Sequence, residues 1–197
     1  MDDLLPSKVQ SAVPRFLDEL QTDYIDLLLI HWPNPNINLV ETVKKMVDLK
    51  NQGFIRFIGV SNFVRFHLDG LKPYHFPILT NQIEMHPYLQ RKLLVEKCKK
   101  MGIKITAYRP LAKGAFEKDP VLQRIGKKHG KSPSQVALKW LIQQDMAVIP
   151  KASNPQHLKD NISIFDFNLD DQDVNEIEAL DSGQRFCAPN GFPVYED

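Results

Sequence analysis

Several features that would assign this chain to a special class of protein are missing from its sequence. Only 2 of its 197 residues are cysteines, and Cys98 and Cys187 lie far apart without a CxxC spacing. This pattern argues against a disulfide framework and favours a reducing cytoplasm. The formal net charge of +1 gives no electrostatic footprint for nucleic acid or a membrane surface. No apolar run approaches the roughly 18 residues of a spanning helix, and the acidic start lacks the regions of a signal peptide. We therefore expect a cytoplasmic protein.

Two common classes of site also have no motif here. The six histidines form neither an H-x-H nor an H-E-x-x-H pattern, so the sequence predicts no metal site. No G-x-G-x-x-G motif is present, which leaves a Rossmann dinucleotide site without support. With 43% hydrophobic and 25% charged residues, the chain has ordinary globular composition and no linker. We expect a single domain over residues 1–197.

Strand and helix patterns alternate along the chain. The predicted strands are Ile25–Ile30, Phe57–Ser61, Leu79–Glu84, Ile103–Tyr108 and Ala147–Pro150. The first predicted helix begins at about Pro14, because a proline inside a helix should break the helical pattern that precedes it. The other predicted helices are 38–52, 64–71, 91–100, 121–129, 132–144, 154–164 and 169–180. Residues from Ser182 onward are expected to form a loop. Five strand–helix units predict an α/β fold with a parallel sheet and right-handed crossovers.

The first predicted strand ends in a histidine. Leu27 to Ile30 are apolar without alternation, which predicts that both faces of the strand are buried. His31 and Trp32 follow, and Pro33 then forbids further strand. In α/β folds ligands bind at the carboxyl ends of strands. The alternative is a hydrogen-bonded histidine that fills the end of the strand.

The other predicted strands also end in side chains that hydrogen-bond, stack or carry charge. The five endings are His31, Ser61–Asn62, Gln82, Tyr108 and Lys151. Each one alone fits a cap or turn residue. Together, at the edge where a parallel sheet presents its loops, they indicate a binding site.

The segment Asp23–Pro33, with sequence DYIDLLLIHWP, resembles the central signature of the aldo-keto reductases. The resemblance implies a (β/α)8 barrel that reduces aldehydes or ketones by hydride transfer from a nicotinamide cofactor. His31 would be catalytic and orient the substrate carbonyl, and Trp32 would contact the substrate. The segments Thr80–Glu84 and Pro87–Gln90 resemble the bacterial diketogluconate reductase branch, so diketogluconate and methylglyoxal are expected substrates.

The resemblance also assigns the cofactor contacts. It places Ser61, Asn62 and Gln82 on the nicotinamide carboxamide and Tyr108 on the face of the nicotinamide ring. Lys151 faces the adenosine 2′-phosphate and Asn161 the adenine, and Arg109, Leu111 and His157 belong to the same cofactor site. His157 stands where the family frequently has an arginine, and a neutral imidazole is a poor substitute for a guanidinium. The expectation of NADP(H) over NAD(H) therefore rests mainly on Lys151.

The family's catalytic tetrad also contains an Asp, a Tyr and a Lys, and none of these three matches a residue of this chain. The match runs from the family's third helix to its C-terminal tail, so we expect a partial barrel with family strands 4 to 8 and without the N-terminal third. Tyr24 lies at the wrong end of its strand, Tyr74 lies in a connecting loop, and Tyr108 is assigned to stacking. Tyr88 and Tyr195 lack an evident lysine partner, which a phenol needs to donate a proton readily at neutral pH. The chain alone is then expected to be inactive or weak.

Three hypotheses remain open at this stage. The chain is part of an active reductase, a non-catalytic nucleotide- or partner-binding module of the same ancestry, or a degenerate fragment without a stable fold. Five strands of a barrel that needs eight leave sheet edges exposed, so we also expect self-association through those edges.

Overall fold

The structure is a computed structural model that describes residues 5–187. Its strands are β1 (Ile25–Ile30), β2 (Ile55–Ser61), β3 (Ile78–Glu84), β4 (Lys104–Tyr108) and β5 (Ala147–Ile149). Its α-helices are α1 (Pro6–Leu20), α2 (Leu39–Asn51), α3 (Arg65–Leu71), α4 (Lys92–Lys100), α5 (Pro120–His129), α6 (Pro133–Gln143), α7 (Pro155–Ile162) and α8 (Asp171–Glu178). Two 3₁₀ segments lie at Lys72–Tyr74 and Ala112–Lys118.

The strands pair in parallel, in the order β1-β2-β3-β4-β5. In the β1–β2 ladder, Ile25 is the register partner of Ile55 and Ile30 that of Val60. Strands that alternate with helices and follow the chain order form a partial (β/α)8 barrel, so the predicted fold class is confirmed. Within it the chain forms two compact units, residues 5–82 with 93–104 and residues 83–92 with 105–187.

The helix ends follow the predicted capping residues. The Asn38 side chain accepts a hydrogen bond from the Val40 amide at 3.2 Å at the start of α2. Ser132 comes directly before Pro133, the first helical residue of α6, and forms a capping box with Gln135. Gly53, just beyond α2, has a φ of +87° that an L-residue rarely adopts. These local signals place the element boundaries within a few residues of the prediction.

Pro14 does not break α1, contrary to the prediction. The helix runs without interruption through Pro14, and its buried residues are Val9, Ala12 and Val13. Pro14 and Gln10, whose carbonyl loses its helical partner, are both exposed. Water can therefore satisfy that carbonyl while the apolar face holds the helix together.

The prediction that β1 is buried on both faces is also wrong. Ile30 is buried, Leu28 and Leu29 are half-buried, and Leu27 is 36% exposed. Phe57, the register partner of Leu27, is 46% exposed, whereas its neighbour Ile58 is fully buried. Helix α2 packs against β2, and the Lys50 ammonium at the end of that helix lies 5.4 Å from the Phe57 ring centroid.

Two further features of the described chain concern possible sites. None of the helices within residues 5–187 has the length and hydropathy needed to span a bilayer. The same residues contain no group of three or more His, Cys, Asp or Glu side chains arranged to hold a metal ion.

Candidate functional site

The predicted site residues of the first unit form a continuous hydrogen-bonded chain at the carboxyl ends of β1, β2 and β3. The Asn62 side-chain amide donates to the His31 carbonyl and to Ser61 Oγ, each at 3.0 Å. Ser61 Oγ donates to the Gln82 carbonyl at 2.8 Å, and the Asn62 backbone N–H donates to the same carbonyl at 2.9 Å. The structure therefore brings His31, Ser61, Asn62 and Gln82 together.

These hydrogen bonds determine what the group can offer a ligand. Both amide protons of Asn62 and the hydroxyl proton of Ser61 are engaged with protein acceptors. The Gln82 amide is half-buried and makes no side-chain hydrogen bond to another described residue. Gln82 can therefore donate to a ligand carbonyl, whereas the Ser61 hydroxyl, whose proton is already engaged, can act towards a further partner only as an acceptor.

His31 and Trp32 line a common cavity of about 210 Å³ in the first unit. The remaining lining comes from α1, β1 and α2 and is almost entirely apolar. The His31 ring is exposed, and within residues 5–187 its nitrogens make no hydrogen bond. The alternative of a hydrogen-bonded histidine that fills the end of the strand is therefore wrong, and the ring is available to a ligand.

The second unit holds a separate cleft of about 680 Å³. All of the predicted cofactor residues of this unit except Tyr108 line it, namely Arg109, Leu111, Lys151, His157 and Asn161. His157 and Asn161 are four residues apart on α7, which places them on one face of the helix. These residues come from the loop after β4, the loop after β5 and α7, so only the fold brings them together.

The cleft also contains residues that the sequence analysis did not assign to a site. Lys113, Glu117 and Ser134 are among its lining side chains. Lys113 lies in the 3₁₀ segment after β4, where Lys113 has a φ of +56° and Gly114 a φ of +85°. A glycine such as Gly114 indicates a tight turn in the sequence. No sequence pattern, however, indicates that the side chain of Lys113 lines the cleft.

The charge of the cleft is mixed. Arg109, Lys113 and Lys151 are permanent cations, and Glu117 and Asp160 are the carboxylates. Asp160 Oδ1 accepts a hydrogen bond from Gln156 Nε2 at 2.9 Å. With three cations and two carboxylates, the cleft suits an anion that also accepts hydrogen bonds, such as a phosphate ester.

Tyr108 ends β4 and is half-buried. Burial, together with the neighbouring Cys187 thiol and Glu84 carboxylate, raises the pKa of the Tyr108 hydroxyl. The phenol stays neutral and is unsuited to donate a proton at neutral pH. Its ring nevertheless offers a flat aromatic surface, as a stacking residue requires.

The other described tyrosines are engaged elsewhere. The Tyr88 hydroxyl donates to Asp119 Oδ2 at 2.7 Å, and burial and Asp119 raise its pKa. The Arg56 guanidinium lies 3.6 Å from the Tyr24 ring centroid, over the ring face. The Tyr74 ring stacks on Phe76. Tyr195 lies outside the described residues. None of the phenols within residues 5–187 is paired with a lysine at a position that would make it a general acid.

Comparisons with known proteins all point to the same family. The model of the "Aldo/keto reductase family" matches residues 1–182. An "Aldo-keto reductase" of Mycolicibacterium smegmatis is 43% identical over 182 residues, which are 89% of this chain and 64% of that protein. "Methylglyoxal reductase DkgB" of Salmonella typhi is 40% identical over 197 residues, which are 97% of this chain and 71% of that protein.

A solved structure described as a "putative 2,5-diketo-D-gluconic acid reductase B" superposes with a TM-score of 0.93 at 35% identity. The match covers 100% of this chain and 71% of the other. The chain thus spans roughly two thirds of the length of these relatives. With the family model matching residues 1–182 and the fold agreeing over the whole chain, the protein belongs to the aldo/keto reductase family.

Proposed function

We propose that the chain binds NADP(H) and provides the cofactor site and His31 for reduction of a small carbonyl compound. The observation that supports this proposal most strongly is the cleft of the second unit, where five of the predicted cofactor residues line one cavity of about 680 Å³. The cofactor would supply a hydride to the carbonyl carbon when bound.

The residues of the second unit fit the phosphate-bearing half of the cofactor. Lys151 offers a cation for the adenosine 2′-phosphate, and His157 and Asn161 add hydrogen-bonding groups from α7. Arg109 and Lys113 add positive charge for the remaining phosphates. Tyr108 would stack on the nicotinamide ring and so select the face that is presented.

The residues of the first unit fit the nicotinamide carboxamide. This planar amide has one acceptor and two donors, and Gln82, Ser61 and Asn62 offer the complementary set. Asn62 also fixes the backbone carbonyl of His31 at 3.0 Å. His31 would then donate a ring N–H to the substrate carbonyl oxygen, which orients the carbonyl and stabilises the negative charge that develops on it.

We propose small dicarbonyl compounds as substrates. The relatives named methylglyoxal reductase and diketogluconate reductase point to this class. The cavity that His31 and Trp32 line is small, at about 210 Å³, and suits a compound of a few carbon atoms.

Titration of the purified chain with NADPH and with NADH tests the cofactor proposal. Lys151→Ala should weaken NADPH binding about tenfold or more, because a hydrogen bond to a charged group is lost, and should leave NADH binding nearly unchanged. Lys159→Ala, on α7 but outside the cleft lining, is the matched control and should bind both cofactors as the wild type does. Equal affinity of Lys151→Ala and wild type for NADPH would refute the 2′-phosphate assignment.

Nucleotide binding without turnover is the second candidate function. The engagement of the described tyrosines favours it, since Tyr88 donates to Asp119 and Tyr108 contacts Cys187. A missing general acid lowers rates typically by 10²–10⁴-fold. NADPH oxidation with methylglyoxal, measured beside a complete DkgB enzyme, distinguishes the candidates, because only a reductase in its own right would approach the rate of that enzyme.

A further inference from the structure

Glu84, the last residue of β3, carries a carboxylate in the interior of the second unit. The residue is only 1% exposed. Its Oε1 accepts the Phe186 backbone N–H at 2.7 Å and its Oε2 accepts the Cys187 backbone N–H at 3.2 Å. A buried carboxylate needs partners of this kind, because burial without them disfavours the charge strongly.

His86 is the third partner of this carboxylate. Its Nε2 lies 3.6 Å from Glu84 Oε1, and its ring is fully buried. Neither ring nitrogen has a hydrogen-bond partner within residues 5–187. Burial alone would raise the pKa of Glu84, but His86 and the two backbone N–H groups outweigh burial and lower the pKa. The carboxylate is therefore ionised at neutral pH.

The backbone that Glu84 holds belongs to residues 182–187, which we call the tail segment. Its first half is fixed separately, since the Ser182 and Gln184 N–H groups donate to the Tyr88 carbonyl at 3.2 and 3.1 Å. Its second half, at Phe186 and Cys187, has Glu84 as its backbone anchor.

The anchored half of the tail segment contacts two of the predicted cofactor residues. The Phe186 carbonyl accepts a hydrogen bond from the Arg109 guanidinium. The Cys187 thiol hydrogen-bonds with the Tyr108 hydroxyl. Tyr108 and Arg109 themselves follow β4 directly, and Arg109 has a left-handed φ of +50°. The side-chain ends of both residues are thus fixed by a segment that Glu84 holds in place.

We propose that Glu84 is a positioning residue for the Tyr108 ring, acting through the tail segment. This inference rests on the proposed role of Tyr108 as the residue that stacks on the nicotinamide. Glu84 binds Phe186 and Cys187, Cys187 holds the Tyr108 hydroxyl, and the ring is thereby kept in one orientation before the cofactor arrives. Such preorganisation raises affinity, because less ordering is needed at the moment of binding.

Glu84→Gln tests the inference with little change in size. The amide turns one acceptor into a donor, so one of the two backbone N–H groups of the tail segment loses its partner. Two ligands are titrated by calorimetry. NADPH reaches the Tyr108 ring, whereas adenosine 2′-phosphate lacks the nicotinamide and reports only on the part of the cleft around Lys151.

We expect Glu84→Gln to weaken NADPH binding about tenfold and to leave adenosine 2′-phosphate binding unchanged. Glu176→Gln, at a half-buried carboxylate paired with Arg124, is the matched control and should bind both ligands as the wild type does. Unchanged NADPH affinity in Glu84→Gln would overturn the inference, and so would an equal loss of both ligands, which indicates general loosening of the unit.

Glu84→Asp gives a second route if the amide variant does not fold. The shorter side chain keeps the charge but cannot reach both N–H groups at once, so a smaller loss of NADPH affinity with intact adenosine 2′-phosphate binding is expected. Wild-type NADPH affinity in this variant would contradict the inference. Failure of the wild-type chain to bind either ligand would instead refute the proposed function.

Discussion

At the scale of single residues, Asn62 shows how one side chain organises several strand ends. Its φ of +62° lies in the left-handed region, where asparagine is several-fold enriched among non-glycine residues. This turn points the amide back towards the His31 carbonyl and Ser61 Oγ. The resemblance assigned Asn62 a ligand contact, and the structure adds a role in holding β1 and β2 together at the site.

Asp173 carries a residue-scale prediction about stability and pH. Its side chain is only 4% exposed. Its Oδ1 accepts a hydrogen bond from Lys128 Nζ at 2.9 Å, and its Oδ2 lies 2.7 Å from His129 Nε2. Burial opposes ionisation, but Lys128, His129 and the Asp170 N–H outweigh it and lower the pKa of Asp173 from 3.8. A carboxylate whose pKa is lower in the folded state than in the unfolded state stabilises the fold at pH values above its unfolded pKa. That contribution is lost as the pH falls through its folded pKa.

Asp173→Asn should therefore reduce the free energy of unfolding by about 1–3 kcal/mol at neutral pH and should make the melting temperature less dependent on pH below 3.8. Thermal unfolding followed by circular dichroism across this range measures both effects. Asp171→Asn, at an exposed position of the same helix, is the control. A variant with the same acid sensitivity as the wild type would contradict the assignment.

At the scale of elements, local signals and packing disagree at helix α1. Pro14 predicted a helix break, yet the helix continues from Pro6 to Leu20. The helices predicted from 38, 132 and 154 do begin there, because the Asn38, Ser132 and Asn154 side chains cap N–H groups two or three residues away. The Pro14 penalty, in contrast, is overcome by burial of Val9, Ala12 and Val13, which depends on what the helix packs against.

Pro14→Ala is expected to stabilise the first unit. A proline in an exposed helix interior costs on the order of 3 kcal/mol relative to alanine, and the substitution restores the hydrogen bond to the Gln10 carbonyl. The melting temperature should rise accordingly. Pro6→Ala, at the first position of the same helix, should give little gain, because a proline is well tolerated there. A lower melting temperature for Pro14→Ala would contradict this prediction and show that the packing of α1 depends on the proline.

At the scale of the whole molecule, two partly exposed apolar side chains on neighbouring strands are the main feature. Leu27 and Phe57 are register partners on β1 and β2 and remain 36% and 46% exposed. Neighbouring apolar side chains that are exposed together mark an interface or an aggregation liability. Self-association through the sheet edges stays a prediction, and we expect Leu27 and Phe57 to contribute to it.

Sedimentation velocity of the purified chain should show association that grows with protein concentration. The double variant Leu27→Thr and Phe57→Thr keeps β-propensity but removes the apolar contact area, so it should shift the distribution towards monomer. Leu20→Thr, at an exposed apolar residue of α1, should associate as the wild type does. A wild-type chain that stays monomeric at all concentrations would refute this prediction.

Local sequence patterns were enough to predict the order and type of the elements and the family. These properties depend on local periodicity, on short-range hydrogen bonds and on the segment Asp23–Pro33, all of which are read within a few residues. The sequence also indicated that the strands end in polar side chains, because each strand and the residues that follow it are adjacent in the chain.

Only the tertiary structure decided which of these residues meet and how their polar atoms are used. The engagement of the Asn62 amide, the place of Lys113 in the cleft and the anchoring of the tail segment by Glu84 join residues distant in sequence. Glu84 and Phe186 are 102 positions apart, and no local pattern records such a contact. The exposure of Leu27 was likewise decided by packing, because a strand is buried only where another layer covers it.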